Sequence, residues 1–158
     1  MTLPQLIARP LLAGMFVYGG QDSVRHGDPK VAKADKIVGP ITSATGLDAA
    51  QLVKINGAVQ VVAGTALAFG VFPRPAAAVL ALSVIPTTLA GHRFWEERGP
   101  ARNAQTVQFL KNAAMLGGLV LAATSTGGRP SVPWRARRAL RHVVEGSAEK
   151  LGELRPAG

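Results

Sequence analysis

Three stretches of the chain carry no Asp, Glu, Lys or Arg: Ile55 to Pro73, Pro75 to Gly91 and Asn112 to Gly128. Each is close to the roughly 17–25 helical residues that cross a hydrocarbon core. Helices of soluble proteins set an apolar stripe against a charged face, and these runs have no charged face. A fourth stretch, Thr2 to Gln21, is interrupted only by Arg9. The pattern predicts an all-α fold, an integral membrane four-helix bundle with helices at about 4–22, 49–71, 75–93 and 104–126. A soluble all-α bundle with buried helices is the alternative for the whole chain. A cleaved signal peptide is the alternative for the first segment alone, although a small-x-small cleavage site is weak there.

Local signals place the boundaries. Pro4 suits an opening helical turn, while Pro10 removes a backbone donor inside the first helix. The segment from Arg25 to Lys36, with Asp28, Pro29, Lys30, Lys33 and Asp35, reads as a water-facing loop with room for one short helix. Gly39, Pro40, Ser43, Thr45 and Gly46 then read as a turn, with Thr45 or Asp48 as the N-cap of the next helix. The link Phe72, Pro73, Arg74, Pro75 is short enough to make an antiparallel hairpin of its two flanking helices. Pro86 inside the third helix predicts a kink. Gly64 with Ala68, Ala113 with Gly117 and Ala114 with Gly118 are small residues four apart, the spacing that lets membrane helices approach closely. Packing inside one bundle and homo-oligomer formation both use such faces.

From Ser131 the chain changes character. Arg135, Arg137, Arg138 and Arg141 alternate with Trp134, Leu140, Val143, Val144, Leu151 and Leu154, the apolar members falling largely at helical spacings. The tail, 129–158, is expected to be a cationic amphipathic helix on the membrane surface, with Trp134, Arg135, Arg137, Arg138 and Arg141 as the lipid-contacting residues. A disordered basic tail is the alternative. The first 128 residues form the predicted transmembrane domain.

Composition sharpens the picture. The 158 residues are 47% hydrophobic and 17% charged, with a net charge of +9. Because the Lys and Arg residues flank apolar spans, membrane lipid headgroups are their expected partners, and nucleic acid is not. The chain has no cysteine, which excludes disulfide and thiol redox chemistry of its own. Four spans put both termini on one side, and the Arg135 to Arg141 cluster favours the cytoplasm for them.

Polar side chains are costly inside a bilayer and therefore point to function. They are lopsided here. Gln21 and Asp22 end the first helix, Lys54, Asn56 and Gln60 open the second, His92 and Arg93 end the third, and Gln105, Gln108, Lys111 and Asn112 open the fourth. In the predicted topology all lie at the end opposite the termini. Asp22, Asn56, Gln60, His92, Lys111 and Asn112 are the candidate ligand or lipid pocket, open to the outer leaflet, with Lys54 or Lys111 pairing with Asp22. Residence at headgroup level is the alternative for half of them. No catalytic residue is assigned. No metal is expected either, since His26, His92 and His142 lie in separate segments without ligand spacing, His92 and Glu96 forming an i,i+4 pair.

Arg9, Pro10, Leu11, Leu12, Ala13, Gly14, Met15 and Phe16 with Gly19 and Gly20, then Asn56, Gly57, Gln60, Gly64 and Gly70, occur in an order that resembles the bacterial DoxX family of small four-helix membrane proteins. His92, Phe94, Trp95, and Phe109, Leu110, Lys111, Asn112 leading to Gly117 and Gly118 extend the resemblance over roughly residues 5–125. It implies an inner-membrane protein. In some members this is a subunit of a quinone-linked thiosulfate oxidoreductase, and in mycobacterial members a membrane partner of superoxide- and sulfur-detoxifying enzymes. An Ala-, Gly- and Arg-rich composition suits an actinobacterial source. Where this chain has Gln60 the family often has an acidic residue.

Two functions follow as expectations. One is a non-catalytic subunit or anchor that holds other subunits of a redox or detoxification complex at the membrane. The other is an oxidoreductase component whose polar pocket binds a quinone or another lipid-like molecule, with His92 or Lys111 donating to the carbonyl.

Overall fold

The computed structural model describes residues 3–125 and, in the tail, Arg138 and Arg141. The described residues form helices without a strand: α1 (Leu3–Arg25), α2 (Asp28–Thr45), α3 (Ala49–Phe69), α4 (Pro73–Gly91), a short 3-10 turn (Phe94–Glu96) and α5 (Gly99–Thr124). The chain is all-α.

Local chemistry sets most of these bounds. Asp48 accepts a hydrogen bond from the Gln51 backbone N–H at 2.7 Å, and the Gln51 side chain accepts from the Asp48 N–H at 2.9 Å. This capping box satisfies two of the free donors at the start of α3. Gly70, at φ 71°, ends α3 in the left-handed conformation that a glycine adopts without strain. Only Gly70, Val71 and Phe72 separate α3 from α4, which opens on Pro73. At the same end, the Arg74 Nε donates to the Ala123 carbonyl at 3.1 Å, so a cation sits at the C-terminus of α5 where the helix dipole favours one.

Packing alternates up and down. Gly20 of α1 lies against Gly57 of α3 while Ala13 and Val17 lie against Gly64. Asn56 of α3 reaches Thr87 of α4. Asn112 of α5 meets Thr88 of α4, and Gln105 meets His92. The four long helices share one core of Ala13, Phe16, Ala63, Leu67, Ala76, Ala77, Leu80, Val84 and Leu119. That core is thin, and large side chains point outward instead: Leu11 is 75% exposed, Tyr18 74%, Val62 71%, Leu82 70% and Leu121 71%. In water such a surface would be an aggregation liability. In a bilayer it is the surface that lipid covers.

Three helical stretches, Ala49–Phe69, Pro73–Glu96 and Gly99–Thr124, are long and apolar enough to cross a membrane. α1 is long enough at 23 residues, but Gln5, Arg9, Gln21 and Asp22 dilute its hydropathy.

The segment expected as loop and turn is a helix instead. α2 runs unbroken from Asp28 through Lys36, Gly39 and Pro40 to Thr45, and Gly46 is its left-handed C-cap at φ 72°. Its buried positions Ala34 and Val38, flanked by Val31 and Ile37, pack on Ala49, Leu52 and Val53 of α3. This apolar stripe outweighs Pro40, which falls at an exposed point where the carbonyl it leaves unpaired can reach solvent. With Asp28, Lys30, Lys33, Asp35 and Lys36 among its 18 residues, α2 is unsuited to the hydrocarbon core.

Candidate functional site

The polar end of the molecule is built where α1 and α4 finish and α3 and α5 begin, and α2 lies across the α3 and α4 part of it. Asp22, one turn from the end of α1, accepts a hydrogen bond from Lys30 Nζ at 2.7 Å, and the same ammonium donates to Ser23 Oγ at 2.8 Å. The expected partners, Lys54 and Lys111, are both exposed. The pairing is therefore corrected: Lys30 reaches Asp22 because it stands in the first turn of α2, and only His26 and Gly27 separate α2 from the end of α1. His26 lies 3.4 Å from the other Asp22 oxygen. A second ion pair, Lys36 to Glu96 at 3.8 Å, joins α2 to the 3-10 turn, and Glu96 also meets Arg93 at 2.6 Å. Phe94, Trp95 and Phe109 stack edge to face beside it, with ring centroids 5.2–6.2 Å apart.

A cavity of about 250 Å³ opens between α2, α3 and α4. Its apolar wall includes Ala34, Val38, Leu52, Val53, Pro86 and Ala90, and its polar groups are Ser23, Lys30, Lys33, Asn56, Thr87 and His92. Asn56 Nδ2 donates to Thr87 Oγ1 at 3.3 Å, and Thr87 in turn donates to the Ser83 carbonyl at 2.6 Å. His92 Nδ1 lies 2.9 Å from Gln105 Oε1, a contact that ties α4 to α5 at the cavity rim.

Of the six residues expected to converge, Asn56 and His92 line this cavity, and Asp22 stands behind it through Lys30. The other three lie elsewhere. Gln60 is buried against α1, where Gly20 leaves it room. Asn56 and Gln60 are four apart and share a face of α3, with α4 meeting the Asn56 edge of that face and α1 the Gln60 edge. Asn112 donates to Thr88 Oγ1 at 2.9 Å on the far side of α4. Lys111 is exposed on α5. Lys30, Lys33, Ser23, Thr87 and Thr88 belong to the polar end and were not among the expected residues. The 31, 34, 38 spacing of Val31, Ala34 and Val38 is the signal that leads to α2 and so to both lysines.

Among the described residues, no three His, Asp or Glu side chains gather as a metal site. Of the expected membrane-surface residues, Arg138 and Arg141 are helical and exposed, while Trp134, Arg135 and Arg137 lie outside the described residues.

The DoxX family model matches residues 5–93, more than half of the chain. This chain belongs to the DoxX family. The match takes in α1 to α4, including Asp22, Asn56, Gln60 and His92, and it ends before the aromatic cluster and α5. No curated protein and no solved structure matches the chain. Membership of DoxX and the apolar helices together make this a membrane protein with lipid-facing helices.

Proposed function

We propose that this DoxX protein is a non-catalytic integral membrane subunit, or anchor, of a larger membrane-associated complex with a redox or detoxification role. In this reading α1, α3, α4 and α5 all cross the plasma membrane of a bacterium as one four-helix domain over residues 1–128. The basic tail, residues 129–158, lies at the cytoplasmic surface. The observation that carries it is the exposure of α5: of its 26 residues only Leu119 is buried, while Val107, Leu110, Val120 and Leu121 are open. A helix so little used by its own chain has a whole face for another subunit, a second copy or lipid. The redox or detoxification link rests on family likeness alone. Purification from native membranes in mild detergent, with identification of co-purifying chains, tests the reading. A stoichiometric partner lost on introducing Leu110→Arg supports it; a chain that purifies alone from every detergent contradicts it.

A second reading is favoured by the cavity. Its lining by Asn56, Thr87 and His92 beside an apolar wall suits the head of a quinone or another lipid-like molecule. Lipid-like molecules retained at one per chain would support it.

A further inference from the structure

We infer that the cavity under α2 takes the carboxylate end of a single-chain acidic amphiphile, such as a long-chain fatty acid, with Lys33 as its counter-charge. This deepens the second reading above and rests on it. Size restricts the occupant first. About 250 Å³ is below the roughly 300–1,000 Å³ of sites that enclose a drug-sized ligand. The space therefore admits the head end of one chain, the rest extending into the bilayer, and not the paired chains of a phospholipid.

Charge restricts it further. Two lysines reach the cavity, and only one is neutralised from within: Lys30 is bonded to Asp22 and Ser23. Lys33 has no ion-pair partner among the described residues, so the wall carries an excess positive charge beside an apolar surface. An ammonium at the edge of a low-dielectric site attracts an anion more strongly than one in water. Asn56 adds an amide that its 3.3 Å bond to Thr87 leaves with a second N–H to donate. A neutral quinone would accept from the amide but leave the ammonium without a charged partner. Val53, Pro86 and Ala90 beside these groups give a wall for methylenes.

The test uses the full chain in nanodiscs of phosphatidylcholine, with oleate, oleyl alcohol and a short-chain benzoquinone as probes. Binding is read by native mass spectrometry and by amide-exchange protection over residues 30–38 and 52–56. Oleate is expected to bind one per chain and at least about tenfold more tightly than oleyl alcohol, as a charge-assisted hydrogen bond implies. Lys33→Gln should remove that preference with an unchanged helical spectrum. Ala90→Phe, which fills the cavity from α4, should abolish binding of both chains. Equal binding of oleate and oleyl alcohol, or a preference that survives Lys33→Gln, overturns the assignment of charge. Oleate binding that survives Ala90→Phe overturns the assignment of place. Benzoquinone bound and lost on Ala90→Phe, with no oleate binding, overturns this inference and keeps the ligand reading; no binding of any probe overturns both.

Discussion

Gly20 and Gly57 face each other across the contact of α1 with α3, so closely that a Cβ on Gly20 would lie 2.6 Å from the Gly57 carbonyl oxygen. The reverse holds as well, since a Cβ on Gly57 would lie 2.8 Å from the Gly20 carbonyl oxygen. One turn of α3 and more beyond, a Cβ on Gly64 would meet Val17 Cγ2 at 2.9 Å. Backbone approach of this kind is how membrane helices gain packing energy when no water is present to drive them together. It also explains why α1 joins the core in spite of its weak hydropathy: close contact with α3, not lipid preference alone, holds it.

Substituting Gly57 should therefore separate α1 from α3. Gly57→Val is expected to cost about 1–3 kcal/mol, the usual penalty for overpacking. Thermal unfolding in detergent measures it. Gly14 lies in the same helix as Gly20, but a Cβ there would meet nothing within 4 Å. Gly14→Ala should leave stability unchanged or raise it by about 0.5–1 kcal/mol through helix propensity. Equal losses from the two variants would show that α1 does not pack on α3 through this face.

α2 is expected to respond to the Asp22 and Lys30 pair. Its hold on the bundle consists of a narrow apolar stripe and two ion pairs, both partly exposed. Lys30→Ala should speed amide exchange across residues 28–45 severalfold and leave residues 57–67 of α3 unchanged. Raising the salt concentration should reproduce part of the effect in the unaltered protein, because exposed pairs are screened. Exchange of α2 that ignores both changes would mean that the stripe alone holds it.

The Asn112 and Thr88 contact is an interhelical hydrogen bond at 2.9 Å between α5 and α4. Thr88 is buried and also donates to the Val84 carbonyl at 2.7 Å. Asn112→Leu should destabilise the protein by about 0.6–2 kcal/mol, the range seen for such bonds in membrane proteins. A double-mutant cycle with Thr88→Val should give a coupling energy of the same order. Additive losses would mean that the two side chains do not support each other.

Much of the fold was legible in the sequence, for a physical reason. Runs such as Pro75 to Gly91 lack charge because lipid tolerates none, and α4 occupies nearly that run. Thr45 and Asp48 both marked the start of α3 as N-cap residues, and Asp48 is the one whose carboxylate accepts from the first turn. α2 was harder to read. Its five charged residues, with Gly39 and Pro40, outweigh the Val31, Ala34, Val38 stripe in any local reading, and only contact with α3 and α4 makes that stripe decisive. The site inherited this miss: Asp22 was recognisable as a carboxylate in need of a cation, but its cation stands on α2. Gln60 shares a face of α3 with Asn56, but α1 and α4 both meet that face, and Gln60 falls at the α1 edge of it.

A membrane-spanning scaffold with a polar end covered by α2 has its two ends on opposite sides of the bilayer. Because the chain has no cysteine, single-cysteine variants labelled from each side of sealed vesicles test it directly. Asp35→Cys on α2 and Glu97→Cys before α5 should label from one side, and Val71→Cys in the link between α3 and α4 from the other. Gln5→Cys near the start of α1 should join Val71→Cys if α1 is the fourth span. Labelling of Asp35→Cys and Val71→Cys from the same side would contradict the account.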